Sequence, residues 1–532
     1  MTATTRPPAL SAGGMVSSSH PAASLAGARV LADGGNAIDA ALAMAAMTWL
    51  TLPGQCGIGG DAFAVVREPD GRVWTVNGSG FGPDGGTADF YRAQGFSSIP
   101  MDGPLAVSVP GAPAALAALA THGASRSLAE LWEPAARVAD SGLPCSARTA
   151  GDVALALAAV RADPGLASVY APHGAPPHHG ARTPQPELAA SIRRLAADPG
   201  AFYRGEFAER AVAALRSGGA PFSGDEWAAT AAVVPEPALT GDYAGAVLHQ
   251  TPLPTPGWMV LHQAALCDAV LGFSGWLSAP AVDRMARAAR LAFADRFELC
   301  GSQNDGARYV LEPGRIDPQR RDLDEGVELR SPVDVRAGDT TSTVAVDAQG
   351  RAVSFIHSLA FTFGAKFTVP GTGVVLNNRL GRGAYLIAGH PNEVAPRRKP
   401  LHTLNAWIVT DRAGGLLHVG NTPGGDGQVQ WNMQLLSHLL DHGLDPAEAV
   451  AAPRFTVFPG SDADVLGADA ELRVEETLSE GVRGELAASG HHVVVQPALA
   501  AGGSAQVISC DDRGILSGAA DPRQEGIALG VD

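Results

Sequence analysis

The sequence predicts an α/β layered fold, with sheets enclosed between helices. Three observations carry that prediction. Of 532 residues, 46% are hydrophobic and only 17% are charged, which supports a sizeable buried core and excludes a disordered chain. Helical spacing dominates residues 110–300. From Thr340 onward, strand and turn patterns alternate with helix, and helices packed on the faces of sheets satisfy such a succession.

The elements follow in order. Residues 20–50 read as two helices broken at Gly34-Gly35, with Asn36 capping the second. That second helix is apolar almost all round, which predicts burial. The next stretch, GQCGIGGDAFAVVREPDGRVWTVNGSG, reads as a Gly-rich turn, a strand, a turn at Asp70-Gly71 and another strand. Residues 110–300 read as mostly helical with surface loops; His178 and His179 fall in a Pro/Gly/His loop and read as solvated rather than metal-binding. Residues 311–339 carry dense charge and read as an exposed flexible linker. A hairpin is predicted next, turning at Gln349-Gly350, and a long helix follows Gly424-Gly425, capped by Asp426.

Composition narrows the function. The formal net charge is −16, and an acidic surface repels phosphate backbones, so no nucleic-acid partner is expected. Cys56, Cys145, Cys267, Cys300 and Cys510 are odd in number and far apart, and they read as a few buried thiols rather than a disulfide framework or a zinc site. The N-terminal stretch has no apolar core of a secretory signal, and no uninterrupted apolar run is long enough to span a bilayer. The cytoplasm is the expected compartment, with no membrane contact. The chain also lacks G-x-S-x-G, G-x-x-x-x-G-K-[ST], H-E-x-x-H and a strand-linked G-x-G-x-x-G, which argues against serine α/β-hydrolase, nucleotide and zinc-protease chemistry. No metal or organic cofactor is expected.

The Asp339-Thr340-Thr341 junction remains. A threonine hydroxyl is a weak nucleophile at its free pKa. An N-terminal threonine carries its own base, an α-amino group with a pKa of about 7.7–8.0. Cutting the chain just before Thr340 would therefore create nucleophile and base together. Taken alone, a Thr-Thr pair at a strand start is more often a β-propensity choice.

Several blocks change that weighting. GGNAIDAALAMAAMTWLTLPGQCGIGGDAFAVV, LAVSVPGAPAAL, LAFADRF, DTTSTVAVDAQGRAVSFIHSLAFTFG, GTGVVLNNR, RRKPLHTLN, NTPGGDGQ, AVAAPRF and GAADPR occur in this order across nearly the whole chain. Together they resemble the γ-glutamyltranspeptidase superfamily of N-terminal-nucleophile hydrolases. The resemblance implies a four-layer αββα sandwich formed jointly by two chains cut from one precursor. It places the cut between Asp339 and Thr340, giving a large helix-rich subunit (1–339) and a small subunit (340–532). It implies that Thr340 is nucleophile and general base, Thr341 the second family threonine, and Ser358 a hydroxyl supporting the nucleophile. It also implies that the N–H groups of Gly424 and Gly425 form an oxyanion hole; the plainer reading of that pair is a tight turn before a helix.

The sequence departs from the transpeptidases at the substrate. Ser79 falls at about the position of the family's carboxylate-binding arginine. Arg379 and Arg382 stand where an α-ammonium is normally held. His402-Thr403 replaces a serine pair, and Ala360 an asparagine. Two guanidinium groups repel an ammonium and grip a carboxylate; the alternative is that they pair with the acidic surface. The blocks look closest to the signal-less branch containing oxamate amidohydrolases and cephalosporin-acylase-like proteins. The expected substrate is a small anionic amide such as oxamate. Alternatives are γ-glutamyl hydrolysis or transfer, an uncleaved pseudoenzyme, and a carboxylate-binding protein without chemistry. The expected assembly is a heterodimer of processed chains, with a dimer of heterodimers left open.

Overall fold

Strand Ala352–Ala360 shows how the layers arise. Every residue in it is buried, and successive side chains go to opposite faces. Val353 and Phe355 join a core with helix Ala37–Thr51. Ala352 and Ile356 join a second cluster with Phe63, Val344, Ala406, Ile408, Val419 and Ile508. The first set faces a helical layer, and the second faces another sheet. The computed structural model describes residues 6–326, 339–460 and 469–532, with only the backbone of Asp339.

Two seven-stranded antiparallel sheets stack face to face. In the first, the strands run in the order 527–531, 14–18, 339–346, 352–360, 61–67, 73–78, 236–237. In the second, the order is 9–11, 516–520, 506–510, 416–421, 406–410, 246–250, 239–243. Polar ties pin the stack. Ser354 Oγ donates to the Gly420 carbonyl at 2.8 Å, and Asn421 Nδ2 donates to Ser354 Oγ at 2.9 Å and to the Phe355 carbonyl at 3.0 Å.

Helices cover both outer faces. Helix Ala37–Thr51 is buried at all its positions and lies on the first sheet. Helices Gly257–Cys267, Ala279–Leu299 and Gly427–Leu440 pack with Leu248, Trp407, Val409 and Val507 on the outer face of the second. The layers are therefore αββα, as the resemblance implies. Asn36 caps as expected: its Oδ1 accepts from the N–H groups of Ile38 and Asp39, and the Asp39 carboxylate accepts from Asn36 N. The turns at Asp70-Gly71 and Gln349-Gly350 form between paired strands. Among the described residues, no helix is long and apolar enough to cross a membrane.

Three expectations are corrected. Residues 311–339 do not read through as linker: Pro313–Asp324 is a helix with Ile316, Gln319 and Leu323 buried, and residues 327–338 lie outside the described set. Its apolar residues are few and widely spaced, so charge density hid the helix. The helical region 110–300 also contains strands Glu236–Pro237, Leu239–Tyr243 and Ala246–Gln250, which supply an edge to each sheet. Short edge strands are defined by the neighbour they pair with, which a local pattern does not contain. Asp426 precedes helix Gly427–Leu440, but its side chain makes no capping hydrogen bond. His178 and His179 are exposed, as expected.

Asn36→Ala removes one capping acceptor from the buried helix and should lower the unfolding free energy by about 1 kcal/mol, read by urea denaturation. An unchanged midpoint would mean the packed helix does not need its cap.

Candidate active site

Thr340 sits in a gap of the central hairpin. Asp339 is opposite Ala360 and Thr341 is opposite His357, with a register shift between them, so Thr340 has no ladder partner of its own. Such a bulge re-aims a side chain out of the regular pleat. The Thr340 hydroxyl donates to Ser358 Oγ at 3.2 Å, and both residues are buried. Ser358 Oγ also accepts from Ala360 N at 2.8 Å. Ala360 has φ of +87°, an unusual conformation for a residue with a Cβ. Thr341 turns to the other face, and its hydroxyl lies 3.4 Å from the Gln55 side-chain amide.

Gly424 and Gly425 form a turn just beyond strand Leu416–Asn421 of the opposite sheet. Both have positive φ, +128° and +61°. A Cβ on Gly424 would lie 2.1 Å from the Trp431 ring, so only glycine fits. Their carbonyls accept from Gly427 N and Gln428 N at 3.1 Å, and among the described residues neither glycine N–H donates to a protein acceptor. A short bridge joins this turn to the hairpin. Ser342 Oγ donates to the Ser504 carbonyl at 3.1 Å, and the adjoining Gly503 packs against Thr422 and Pro423.

Next to the hairpin end lies a buried, cation-rich cluster. Arg379 and Arg382 begin a short helix, Arg379–Gly383, directly after Asn377 and Asn378. Both guanidinium groups are buried, which corrects the alternative that they pair with the acidic surface. Arg382 Nη1 donates to the Ala360 carbonyl at 2.9 Å, and its guanidinium lies over the Phe361 ring at 4.4 Å. It therefore contacts the residue paired with Asp339. Arg379 Nε is 3.7 Å from Asp61 Oδ2. His402 is fully buried against Phe63. Burial holds its pKa well below 6.5, and the nearby charges of Arg379, Lys399, Arg296 and Arg382 depress it further, so the ring is neutral. Neither His402 ring nitrogen nor Thr403 Oγ1 has a hydrogen-bond partner among the described residues. Buried polar atoms left without protein partners are open to water or a ligand.

Ser79 is also buried, but its hydroxyl is turned onto Asn77 Oδ1 at 2.6 Å. The structure thus brings Thr340, Ser358, Arg382, Arg379 and His402 into one neighbourhood, with Gly424-Gly425 on the facing sheet and Ser79 engaged with its own turn. Sequence reasoning missed Asp61 and Lys399. Both lie inside recognised blocks, yet neither was singled out there. Burial raises the Asp61 carboxyl to about 7, against the opposing pull of Arg379, the Gly111 N–H, Lys399 and the Gly80 N–H. Burial also lowers the Lys399 pKa. No group of three or more His, Cys, Asp or Glu suited to a metal occurs among the described residues.

Comparison with known proteins identifies the family. A family model described as Gamma-glutamyltranspeptidase matches residues 23–531. A Bacillus subtilis protein named Glutathione hydrolase-like YwrD proenzyme is 33% identical over 533 residues, covering 97% of this chain and 98% of the relative. An Oxamate amidohydrolase proenzyme from Klebsiella pneumoniae is 30% identical over 530 residues, covering 97% and 98%. The crystal structure of a cephalosporin acylase from Bacillus halodurans superposes with a TM-score of 0.89 at 28% identity, covering 100% of this chain and 98% of that one.

The raised Asp61 carboxyl sets a pH dependence. The folded state holds this proton up to about 7, whereas an unfolded aspartate releases it near 3.8. Stability from the protonated group is complete below the lower value and is lost as pH rises through the upper one. Asp61→Asn removes the titration. Urea unfolding should therefore show the variant gaining on the wild type from about pH 4 to about pH 8; a constant difference would show that Asp61 ionises normally.

Proposed function

We infer the reaction of this chain from its lineage and its site together: it belongs to the gamma-glutamyltranspeptidase family, and its candidate nucleophile lies beside a buried cluster of cations. Enzymes of this kind act on amide bonds as hydrolases and acyltransferases. The precursor cuts itself between Asp339 and Thr340, and the new Thr340 amine becomes a base within reach of its own hydroxyl. Thr340 Oγ attacks the amide carbonyl while the amine takes the proton. The oxyanion forms against the N–H groups of Gly424 and Gly425, the Thr340 amine passes its proton to the departing ammonia or amine, and water, deprotonated by the same amine, resolves the acyl-enzyme. Two-step kinetics follow from the covalent intermediate.

The substrate is a small amide carrying a carboxylate, with oxamate the first choice. The observation that carries this is the burial of Arg379 and Arg382 beside Lys399, close to the strand end that pairs with the scissile junction. A buried cation cluster attracts a carboxylate and repels an ammonium. His402 and Thr403 offer polar atoms with no protein partner for the rest of the ligand. The second reading is a γ-glutamyl compound, which needs a carboxylate to hold its ammonium. Asp61 is the candidate, but burial keeps it protonated up to about 7.

On a denaturing gel the wild type should run as two chains whose masses meet at Asp339/Thr340, and Thr340→Ala as one chain of 54.3 kDa. An uncut wild type would leave a shared fold without this mechanism. The processed enzyme should release ammonia from oxamate faster than it releases glutamate from glutathione; the reverse ranking selects the γ-glutamyl reading.

Arg382→Met should raise KM for the carboxylated amide by about 10- to 100-fold, matching the loss of one charge-assisted hydrogen bond of about 1.5–3 kcal/mol. Gly424→Ala should instead lower kcat by about 10²–10³-fold, since it displaces the oxyanion donors. An Arg382→Met enzyme with unchanged KM would place the substrate carboxylate elsewhere.

A further inference from the structure

Once the peptide bond before Thr340 is cut, the pairing of Asp339 with Ala360 no longer restrains the new terminus. Thr340 keeps its hydroxyl contact with Ser358 and whatever holds its carbonyl. Thr340 falls in the gap of the ladder, with no residue paired opposite it. A side chain from outside the hairpin reaches its carbonyl. With its amide oriented to satisfy both ends, Gln55 Nε2 donates to the Thr340 carbonyl at 2.9 Å, while Gln55 Oε1 accepts from Arg148 Nε at 3.1 Å and Nη2 at 3.0 Å.

Each member of this chain is itself anchored. Gln55 is buried in the loop after helix Ala37–Thr51, and that loop is strapped along the end of strand Ala352–Ala360. Leu359 N donates to the Gln55 carbonyl at 3.0 Å, and Phe363 N donates to the Gly54 carbonyl at 2.8 Å. Arg148 lies in helix Ala147–Leu155 and pairs with Asp152 at 2.8 Å. Thr149 Oγ1 of the same helix donates to the Thr51 carbonyl at 3.4 Å, and Asp152 packs against Gly54. A carboxamide has one accepting and one donating end. With a guanidinium at the oxygen, only the N–H end can face Thr340.

We propose that Gln55, oriented by the Arg148–Asp152 pair, is the positioning residue of Thr340: it grips the nucleophile's carbonyl where the sheet leaves a gap, and so fixes the amine and hydroxyl during self-cleavage and turnover. This rests on the reading of Thr340 as the nucleophile. A glutamate in place of Gln55 would keep the volume and the Arg148 contact, yet it would set an acceptor against the Thr340 carbonyl. Loss of the grip should cost rate rather than affinity, because Gln55 touches the nucleophile's backbone and not the substrate cluster.

The test follows conversion of full-length precursor into two chains during cell-free synthesis, in wild type, Thr340→Ala, Gln55→Glu, Arg148→Met and Arg148→Lys. This readout needs no knowledge of the substrate. Gln55→Glu should slow processing by about 10²-fold, the penalty of a nucleophile misplaced by about 1 Å. Arg148→Met should slow it by a smaller factor, and Arg148→Lys, which still donates to the amide oxygen, should restore most of the rate. In whatever enzyme matures, kcat for oxamate should fall with KM unchanged. Thermal melting separates a positioned chain from an unfolded one; if Gln55→Glu does not fold, the contrast between the half-exposed Arg148 variants carries the test alone. Wild-type processing in Gln55→Glu, with Thr340→Ala uncut, overturns the positioning role and leaves the nucleophile in place. Equal rates in Arg148→Met and Arg148→Lys overturn the orienting role of the cation. A Thr340→Ala chain that still cuts at the junction overturns the nucleophile and this proposal with it.

Discussion

The hairpin formed by strands 339–346 and 352–360 lies in the middle of the first sheet, and the irregularity at its open end decides what the rest of the molecule must do. A regular ladder would pair every backbone group and send side chains alternately up and down. The shift between Asp339 and Thr341 breaks that rule at one residue. Thr340 is thereby released from the ladder while remaining inside a buried, two-sided sheet. Its hydroxyl goes to Ser358 on the inner face, and its carbonyl goes to a side chain from the loop after the buried helix.

The two sheets then have complementary tasks. The first carries Thr340 and, at the end of its neighbouring strand, the Ala360 carbonyl that Arg382 grips. The second ends strand Leu416–Asn421 in the Gly424-Gly425 turn, whose shape Trp431 enforces from below. Arg454 lies over the other part of that ring, 5.3 Å from its centroid, and also donates to the Gly502 carbonyl. The candidate oxyanion donors are thus braced by an aromatic ring and a buried cation, and Thr340 is braced by a hydroxyl and an amide. Neither brace depends on surface loops. A mobile support would lose the sub-ångström placement that acyl transfer requires.

Burying several cations beside a nucleophile is expensive unless something anionic joins them. Asp61 lies beside Arg379, and burial works against its ionisation. Neutral His402 adds no charge. On the proposed reading the substrate's carboxylate joins this cluster, and the same charges disfavour the α-ammonium of a γ-glutamyl group. Specificity within this fold can then shift by exchanging the charges around an unchanged hairpin and glycine turn.

Much of this was legible in the residues. The pattern of Ala37–Thr51, its Asn36 cap, the turns at Gly71 and Gly350 and the helix after Gly425 are local matters of spacing and backbone freedom, and each formed as its pattern predicts. The ordered blocks identified the layers and singled out Thr340, Ser358, the glycine pair and the two arginines. Other features could not be read locally. The helix at Pro313–Asp324 was hidden by its charges, and the strands of 236–250 become strands only through the neighbours they pair with. Gln55, Arg148, Asp61 and Lys399 are ordinary residues in sequence, and Ser79 proved to be occupied by Asn77. What the sequence determined alone was the strongly patterned elements and the family to which the chain belongs, because short-range periodicity and side-chain chemistry travel with the residue. The register gap at Thr340, the amide that fills it and the pKa of each buried group were decided by tertiary structure, because they depend on which distant residues share a dry interior.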